Sequence, residues 1–377
     1  MKFIHLSDLH IGKRVNEFPM LEEQRYILSE ILRIIDERHV DGVIIAGDIY
    51  DKAVPPAEAV VLFDDFLTRL YLRGHKVFII GGNHDQTERL SFGSALMREE
   101  GVYLSRTFCG NICPVTVEDG FGEIDVYLLP FVRPANVRPF FPESEIASYN
   151  DAIKTVIDNM SVREGVRSIL VAHQFVTGAL PCGSEEMSVG GLDNVDVSVF
   201  DKFDYVALGH IHGSQFIGRE TVRYCGAPLK YSFSEVEHIK SALIVTLAEK
   251  GNISFEKIPL KPLRDFREIK GSYMELSDRG FYEGTDVNDF LHIILTDEND
   301  IADAIGRLRS IYPNIMRLDY DNSRSRQNNA AAALNTEEKR PAELLADFYR
   351  LQNNREMSKE QRLFAEKLID RIWGENP

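Results

Sequence analysis

Val77-Phe78-Ile79-Ile80-Gly81-Gly82-Asn83-His84-Asp85 is the stretch that decides how this chain folds. Four consecutive apolar residues, rich in isoleucine and valine, read as a short strand buried on both faces. Two glycines then let the backbone turn tightly. An amide, an imidazole and a carboxylate follow at once, so polar groups of metal-binding or catalytic type stand at the mouth of a buried strand.

Four more runs repeat this design. Residues 3–6 lead into Asp8-Leu9-His10, and residues 43–46 into Gly47-Asp48. Residues 169–172 end at His173, and residues 205–208 lead into Gly209-His210-Ile211-His212. Between the first two runs, Leu21, Ile27, Leu28, Ile31, Leu32 and Ile35 form the apolar stripe of a helix. Val60, Phe63, Phe66, Leu67 and Leu70 form another before the third run. Alternating strands and helices predict an α/β layered sandwich. Ligand-type residues at the carboxyl ends of adjacent strands are expected to converge on one sheet edge.

That convergence has a chemical use. Two divalent cations held close together can clamp the in-line displacement at a phosphate ester, which requires a carboxylate able to bridge them. Asp48, central in the array, is the candidate bridge. Asp8, His10 and His212 complete one metal site; Asn83, His173 and His210 complete the other. Mixed imidazole, carboxylate and amide ligation suits manganese, with iron, zinc or magnesium as substitutes. His84, beside Asn83, is placed to bind phosphate or protonate the leaving oxygen, and Asp85 to accept from and orient His84.

A lone Asp-x-His is common noise, and a single histidine after a buried strand is more often a hydrogen-bonded core residue. Five such strand ends, in order and at βα spacing, are not coincidence. His5, His39, His75, His238 and His292 fit no ligand pattern and read as structural or exposed.

With 377 residues, 44% hydrophobic and 27% charged, the chain has room for more than one core. A formal net charge of −16 excludes a whole-surface electrostatic grip on nucleic acid. Cations for such a partner must come from local residues such as Lys13, Arg14, Arg89, Arg133 and Arg138, from bound metals, or from another subunit. The first residues are too weakly apolar for a signal peptide, and no stretch matches a membrane span, so a cytoplasmic location is expected. Four cysteines without paired ligand spacing read as reduced thiols.

The expected divisions are a phosphoesterase domain over 1–261 and a small α+β domain over 262–321. Within the latter, 291–295 and 315–318 read as strands flanking an Ile301, Ile305, Leu308, Ile311 helix. Residues 322–340, rich in Ser, Arg, Gln and Asn, read as a flexible linker. Residues 341–377 read as two amphipathic helices suited to docking, the second opened by a Ser358/Gln361 capping box.

The five strand-end motifs together resemble the calcineurin-like metallophosphoesterase family. Within it, residues 4–12, 45–51, 207–212 and 223–228 resemble the bacterial branch of the double-strand-break repair nucleases. That resemblance implies a β-sandwich flanked by helices. It implies two manganese ions on Asp8, His10, Asp48, Asn83, His173, His210 and His212, with His84 assisting catalysis. It also implies exonuclease action on duplex DNA ends and endonuclease action on single strands or hairpins. The segment from 262 resembles a capping domain that tracks DNA, and 341–377 resembles the element that grips an SMC-like ATPase, in a homodimer within a heterotetramer. Related archaeal and eukaryotic chains often carry a histidine three positions after the bridging aspartate, where this chain has Asp51. A small-molecule phosphodiesterase or protein phosphatase is the competing enzyme reading, and an inactive ATPase-associated scaffold the non-enzymatic one. The extra 115 or so residues after 262 count against the first, and the complete ligand set counts against the second.

Overall fold

The computed structural model describes residues 1–185, 194–323, 345, 346, 349 and 356–373. Two six-stranded sheets dominate it. From edge to edge, the first runs Ile253–Pro259, Ser241–Leu247, Lys2–Leu6, Gly42–Ala46, Lys76–Ile80 and Val102–Leu104. Its last four strands are mutually parallel, while Ser241–Leu247 is antiparallel to Lys2–Leu6. The second runs Gln215–Ile217, Arg219–Tyr224, Tyr205–Gly209, Arg167–His173, Gly122–Leu128 and Val115–Asp119.

Strand periodicity explains why the central runs are apolar without alternation. Phe3, Ile44, Phe78 and Ile80 of the first sheet pack with Val126, Ile169, Val171 and Ala207 of the second, in the layer between the sheets. Their neighbours Ile4, Val43, Ile45, Val77 and Ile79 point the other way. There they meet Ile27, Ile31 and Ile35 of helix Leu21–Arg38, and Leu62, Phe63, Phe66 and Leu70 of helix Ala57–Tyr71. The outer face of the second sheet is covered likewise by helix Tyr149–Asp158 through Ile153, Val156 and Ile157. The layering is the expected α/β sandwich.

One expectation changes. The five motif strands are not neighbours along one edge: three belong to the first sheet and two to the second. Their ligand loops meet across the sandwich end, because the two sheets present the carboxyl ends of these strands to the same side. Apolar periodicity reports burial but not sheet membership, so the sequence pattern leaves this open. On helix Ala57–Tyr71, Val60 faces solvent, and Ala59 and Leu62 fill the core positions.

The chain separates into two compact units. The first comprises Met1–Glu268, Asn288–His292 and Asn314–Arg317, and the second comprises Ile269–Val287, Ile293–Pro313 and Leu318–Pro377. A three-stranded sheet is ordered Phe266–Gly271, Phe290–Leu295, Ile315–Tyr320. The helix expected through Ile301–Ile311 is shorter, Ala304–Leu308, because Asp303 adopts φ 51° and opens it late. Most of the linker and of the first tail helix lies outside the described residues. Helix Lys359–Trp373 is preceded by the expected reciprocal cap: Ser358 N–H donates to Gln361 Oε1 (2.9 Å), and Gln361 N–H to Ser358 Oγ (3.2 Å). No helix among the described residues is long and apolar enough to cross a membrane.

Candidate metal centre

The loops that follow the motif strands are stitched to one another through their main chains. Asp8 N–H donates to the Gly47 carbonyl and His10 N–H to the Asp48 carbonyl, both at 3.0 Å. His210 N–H donates to the Asp8 carboxylate at 3.1 Å, and His84 N–H to Asp48 Oδ1 at 2.9 Å. The crossing is tight enough to exclude side chains. A Cβ on Gly82 would lie 2.1 Å from Asp48 Oδ1, and one on Gly209 would lie 2.0 Å from the Ala46 carbonyl oxygen. Asp8, His10, Asp48 and His210 all have positive φ (53°, 43°, 50° and 103°). Such conformations are costly for non-glycine residues and cluster where surroundings over-determine them.

Within this frame the expected ligands meet. Asp48 Oδ2 lies 3.3 Å from His173 Nε2, 3.7 Å from His10 Nε2 and 3.9 Å from His84 Nε2. His10 Nε2 and His212 Nε2 are 3.1 Å apart, and Asp8 joins them in one cluster of ligand atoms. Asn83 Oδ1 lies 3.0 Å from both His173 Nε2 and His210 Nδ1. Asp8, Asp48 and His173 form a further cluster. All seven residues therefore gather in one continuous arrangement, with Asp48 between its halves. His84 joins His10 and Asp48 at its mouth and is partly open to solvent.

Electrostatics follow from burying two carboxylates among imidazoles. Burial pushes the Asp8 carboxyl up. Burial would raise Asp48 too, but His173 above all, with His10 and His84, holds it well below the usual carboxylate range. His173 is correspondingly lifted to about 9: burial works against the charge, but Asp48 outweighs it. Burial drives His10 well below its ordinary value. Two buried carboxylates, four imidazoles and an amide oxygen converging without a lysine or arginine among them fit a divalent cation site.

The proposed partner of His84 is corrected. Its Nδ1 lies 2.9 Å from the Asp51 carbonyl oxygen, so the Asp51 main chain holds the ring. The Asp85 carboxylate instead accepts the N–H groups of Ile49, Tyr50 and Gly82 at 3.0–3.1 Å, tying the two loops together. Burial and then the charge of Asp48 lift Asp85 to about 6. The Asp51 side chain pairs with Lys13 at 2.7 Å. Arg14, Arg89, Arg133 and Arg138 are exposed.

Residues that carry no signal in the sequence complete the surroundings. Tyr231, buried, sets its ring edge-on to His10 and donates its hydroxyl to the Leu9 carbonyl. Gln24 Nε2 donates to the His10 carbonyl at 2.7 Å. Glu235 and Lys240 form a buried pair beside His212. A glutamate or tyrosine outside any strand-end motif looks like any other loop residue until the fold delivers it. All four cysteines are free thiols.

Residues 1–214 match the calcineurin-like phosphoesterase family, and residues 262–353 match the family described as the type 5 capsule protein repressor C-terminal domain. The sandwich is thus that of a calcineurin-like metallophosphoesterase. The chain is 32% identical over 322 residues to the SbcD component of the nuclease SbcCD of Staphylococcus epidermidis, covering 84% of this chain and 85% of the relative. It belongs to the SbcD family of calcineurin-like phosphoesterases. Among solved structures it is similar to a dimetal phosphatase from Danio rerio (TM-score 0.41, 11% identity, 69% of this chain and 96% of that one). It is also similar to the phosphoesterase Yfce from E. coli (TM-score 0.26, 12% identity, 69% and 100%).

Proposed function

We propose that this chain is the nuclease subunit of an SbcC–SbcD type complex, hydrolysing DNA phosphodiesters with two manganese ions. The relative's name supports the nuclease reading, and one observation carries the mechanism: Asp48 Oδ2 lies within 3.3–3.9 Å of three imidazole nitrogens contributed by three different strand ends. Asp8, His10 and His212 would hold one cation and Asn83, His173 and His210 the other, with Asp48 available to both. The bound pair supplies Lewis-acid activation of a water and neutralises charge developing on phosphate. The protein's own part is to fix these donors on strained, stitched loops before substrate arrives. His84, held through Nδ1 by the Asp51 carbonyl, presents Nε2 toward the Asp48 side and delivers a proton to the leaving oxygen.

The division into a phosphoesterase domain (1–261), capping domain (262–321), linker (322–340) and SbcC-docking segment (341–377) is part of the same proposal. Leu363, Phe364 and Leu368 are exposed on helix Lys359–Trp373, which suits docking. For the homodimer face the candidates are the helical region around Phe63–Leu70 and the loop after His84; Phe63, Phe66 and Leu70 themselves fill the core. Val54, Val60, Val61, Tyr71, Leu72, Phe92 and Leu96 are exposed apolar residues nearby in sequence. A cytoplasmic site of action fits DNA as substrate.

A manganese-dependent assay with linear duplex DNA, run beside a chromogenic phosphodiester, tests the reading. Digestion of the duplex supports it. Hydrolysis of the small ester alone points to a small-molecule phosphodiesterase, and cleavage of neither, with metal bound, points to a scaffold.

A further inference from the structure

His212 is gripped from three directions. Its N–H donates to Glu185 Oε1 at 2.8 Å, and its carbonyl accepts from Lys240 Nζ at 2.9 Å. Its ring Nδ1 lies 2.9 Å from Ser184 Oγ and 3.6 Å from Glu235 Oε1. Glu235 is completely buried. One of its oxygens receives the Lys240 ammonium, and the other accepts the Tyr231 N–H at 3.1 Å. Lys240 thereby links the carboxylate to the main chain of the very histidine whose ring it faces.

The two neighbours of Nδ1 differ in what they can tell the ring. A serine hydroxyl donates or accepts, so Ser184 leaves the tautomer open. An ionised carboxylate only accepts, so the negative charge of Glu235, 3.6 Å away, favours the tautomer with its proton on Nδ1, the proton being donated in a hydrogen bond to Ser184 Oγ. That leaves the Nε2 lone pair facing His10 Nε2, 3.1 Å away, where two imidazole nitrogens need a shared cation or a shared proton between them. The His10 ring nitrogen Nδ1 has no comparable partner. It makes no hydrogen bond among the described residues, and the nearest carboxylate, Asp51 at 3.9 Å, is engaged by Lys13.

We propose that Glu235, steered by Lys240, is the positioning residue that fixes His212 as a metal ligand and sets the affinity of the Asp8–His10–His212 half of the centre. The inference rests on the two-cation reading above. Removal of such a carboxylate beside a ligating histidine typically weakens metal binding by about 10–100-fold.

The test is calorimetric titration of metal-free full-length protein with Mn²⁺. The wild type is expected to take up two ions. Glu235→Gln, which preserves shape, is expected to weaken one of the two about 10–100-fold and leave the other unchanged, with turnover recovering as Mn²⁺ is raised. Because Glu235→Gln strands a buried ammonium, the double variant Glu235→Gln/Lys240→Met is measured beside it, and the same selective weakening is expected. Wild-type affinities at both sites in either folded variant would overturn the assignment and leave the pair a purely structural staple. A wild-type chain that binds fewer than two ions would instead remove the two-cation reading itself, and this inference with it.

Discussion

The two halves of the cluster are built differently. Around Asn83, His173 and His210 the protein relies on main chain and on the ligands themselves: His173 Nδ1 is 2.8 Å from the Ala46 carbonyl oxygen, and Asn83 Oδ1 lies against both imidazoles. Around Asp8, His10 and His212 it also relies on side chains outside the strand-end motifs: Gln24 from helix Leu21–Arg38, and Ser184, Tyr231 and Glu235 from segments distant in sequence from Asp8 and His10. The difference teaches where each half is vulnerable. A half anchored on main chain is disturbed mainly through its own ligands, whereas a half anchored on side chains is tunable from a distance.

The largest effect breaks both halves at once. Asp48→Ala is expected to abolish cleavage and uptake of both ions, read by nuclease assay and by metal analysis of the dialysed protein. Retention of one tightly held ion would show that the halves do not share this carboxylate. Next, His84→Ala is expected to lower turnover by about 10²–10⁴-fold while both ions remain bound. Unchanged turnover in that variant would remove the proton donor from the mechanism.

A smaller and opposite pair of pH effects isolates the main-chain half. His173 is lifted in the folded chain to about 9 from the usual 6.5. The metal-free fold binds that proton more tightly than the unfolded chain does, so its contribution is full below pH 6.5 and is lost as pH rises toward about 9. Thermal midpoints of chelator-treated protein should therefore fall across this window. Manganese affinity should climb over the same window, because the ion no longer has to displace the proton. A flat profile in both would detach His173 from Asp48. The smallest effect probes the side-chain half: Tyr231→Phe removes a hydroxyl from the Leu9 carbonyl and should cost about 0.5–1.5 kcal/mol of stability by thermal denaturation. Its effect on manganese affinity should be weaker than that of the Glu235 variants.

The same contrast explains what the amino-acid order reveals by itself. The main-chain half and its ligands are legible because each sits at the end of an apolar run, where periodicity marks the strand and composition marks the turn. The layered fold, the seven clustered side chains and the Ser358/Gln361 cap are all local patterns of this kind. Membership of two separate sheets is not legible, since Ile44 and Ile169 have the same alternation and burial whichever sheet they join. Asp85 misleads because adjacency to His84 suggests a side-chain contact, while the chain turns its carboxylate toward three main-chain N–H groups. Glu235, Lys240 and Tyr231 are invisible for the same reason in a stronger form. Their relation to His10 and His212 exists only after strands distant in sequence have packed.

Anomalous scattering from crystals of the full chain soaked in manganese tests the central claim most directly. Two peaks about 3.5–4 Å apart are expected, one against Asp8, His10 and His212, the other against Asn83, His173 and His210, with Asp48 in contact with both. A single peak, or two peaks that leave Asp48 untouched, would contradict that claim.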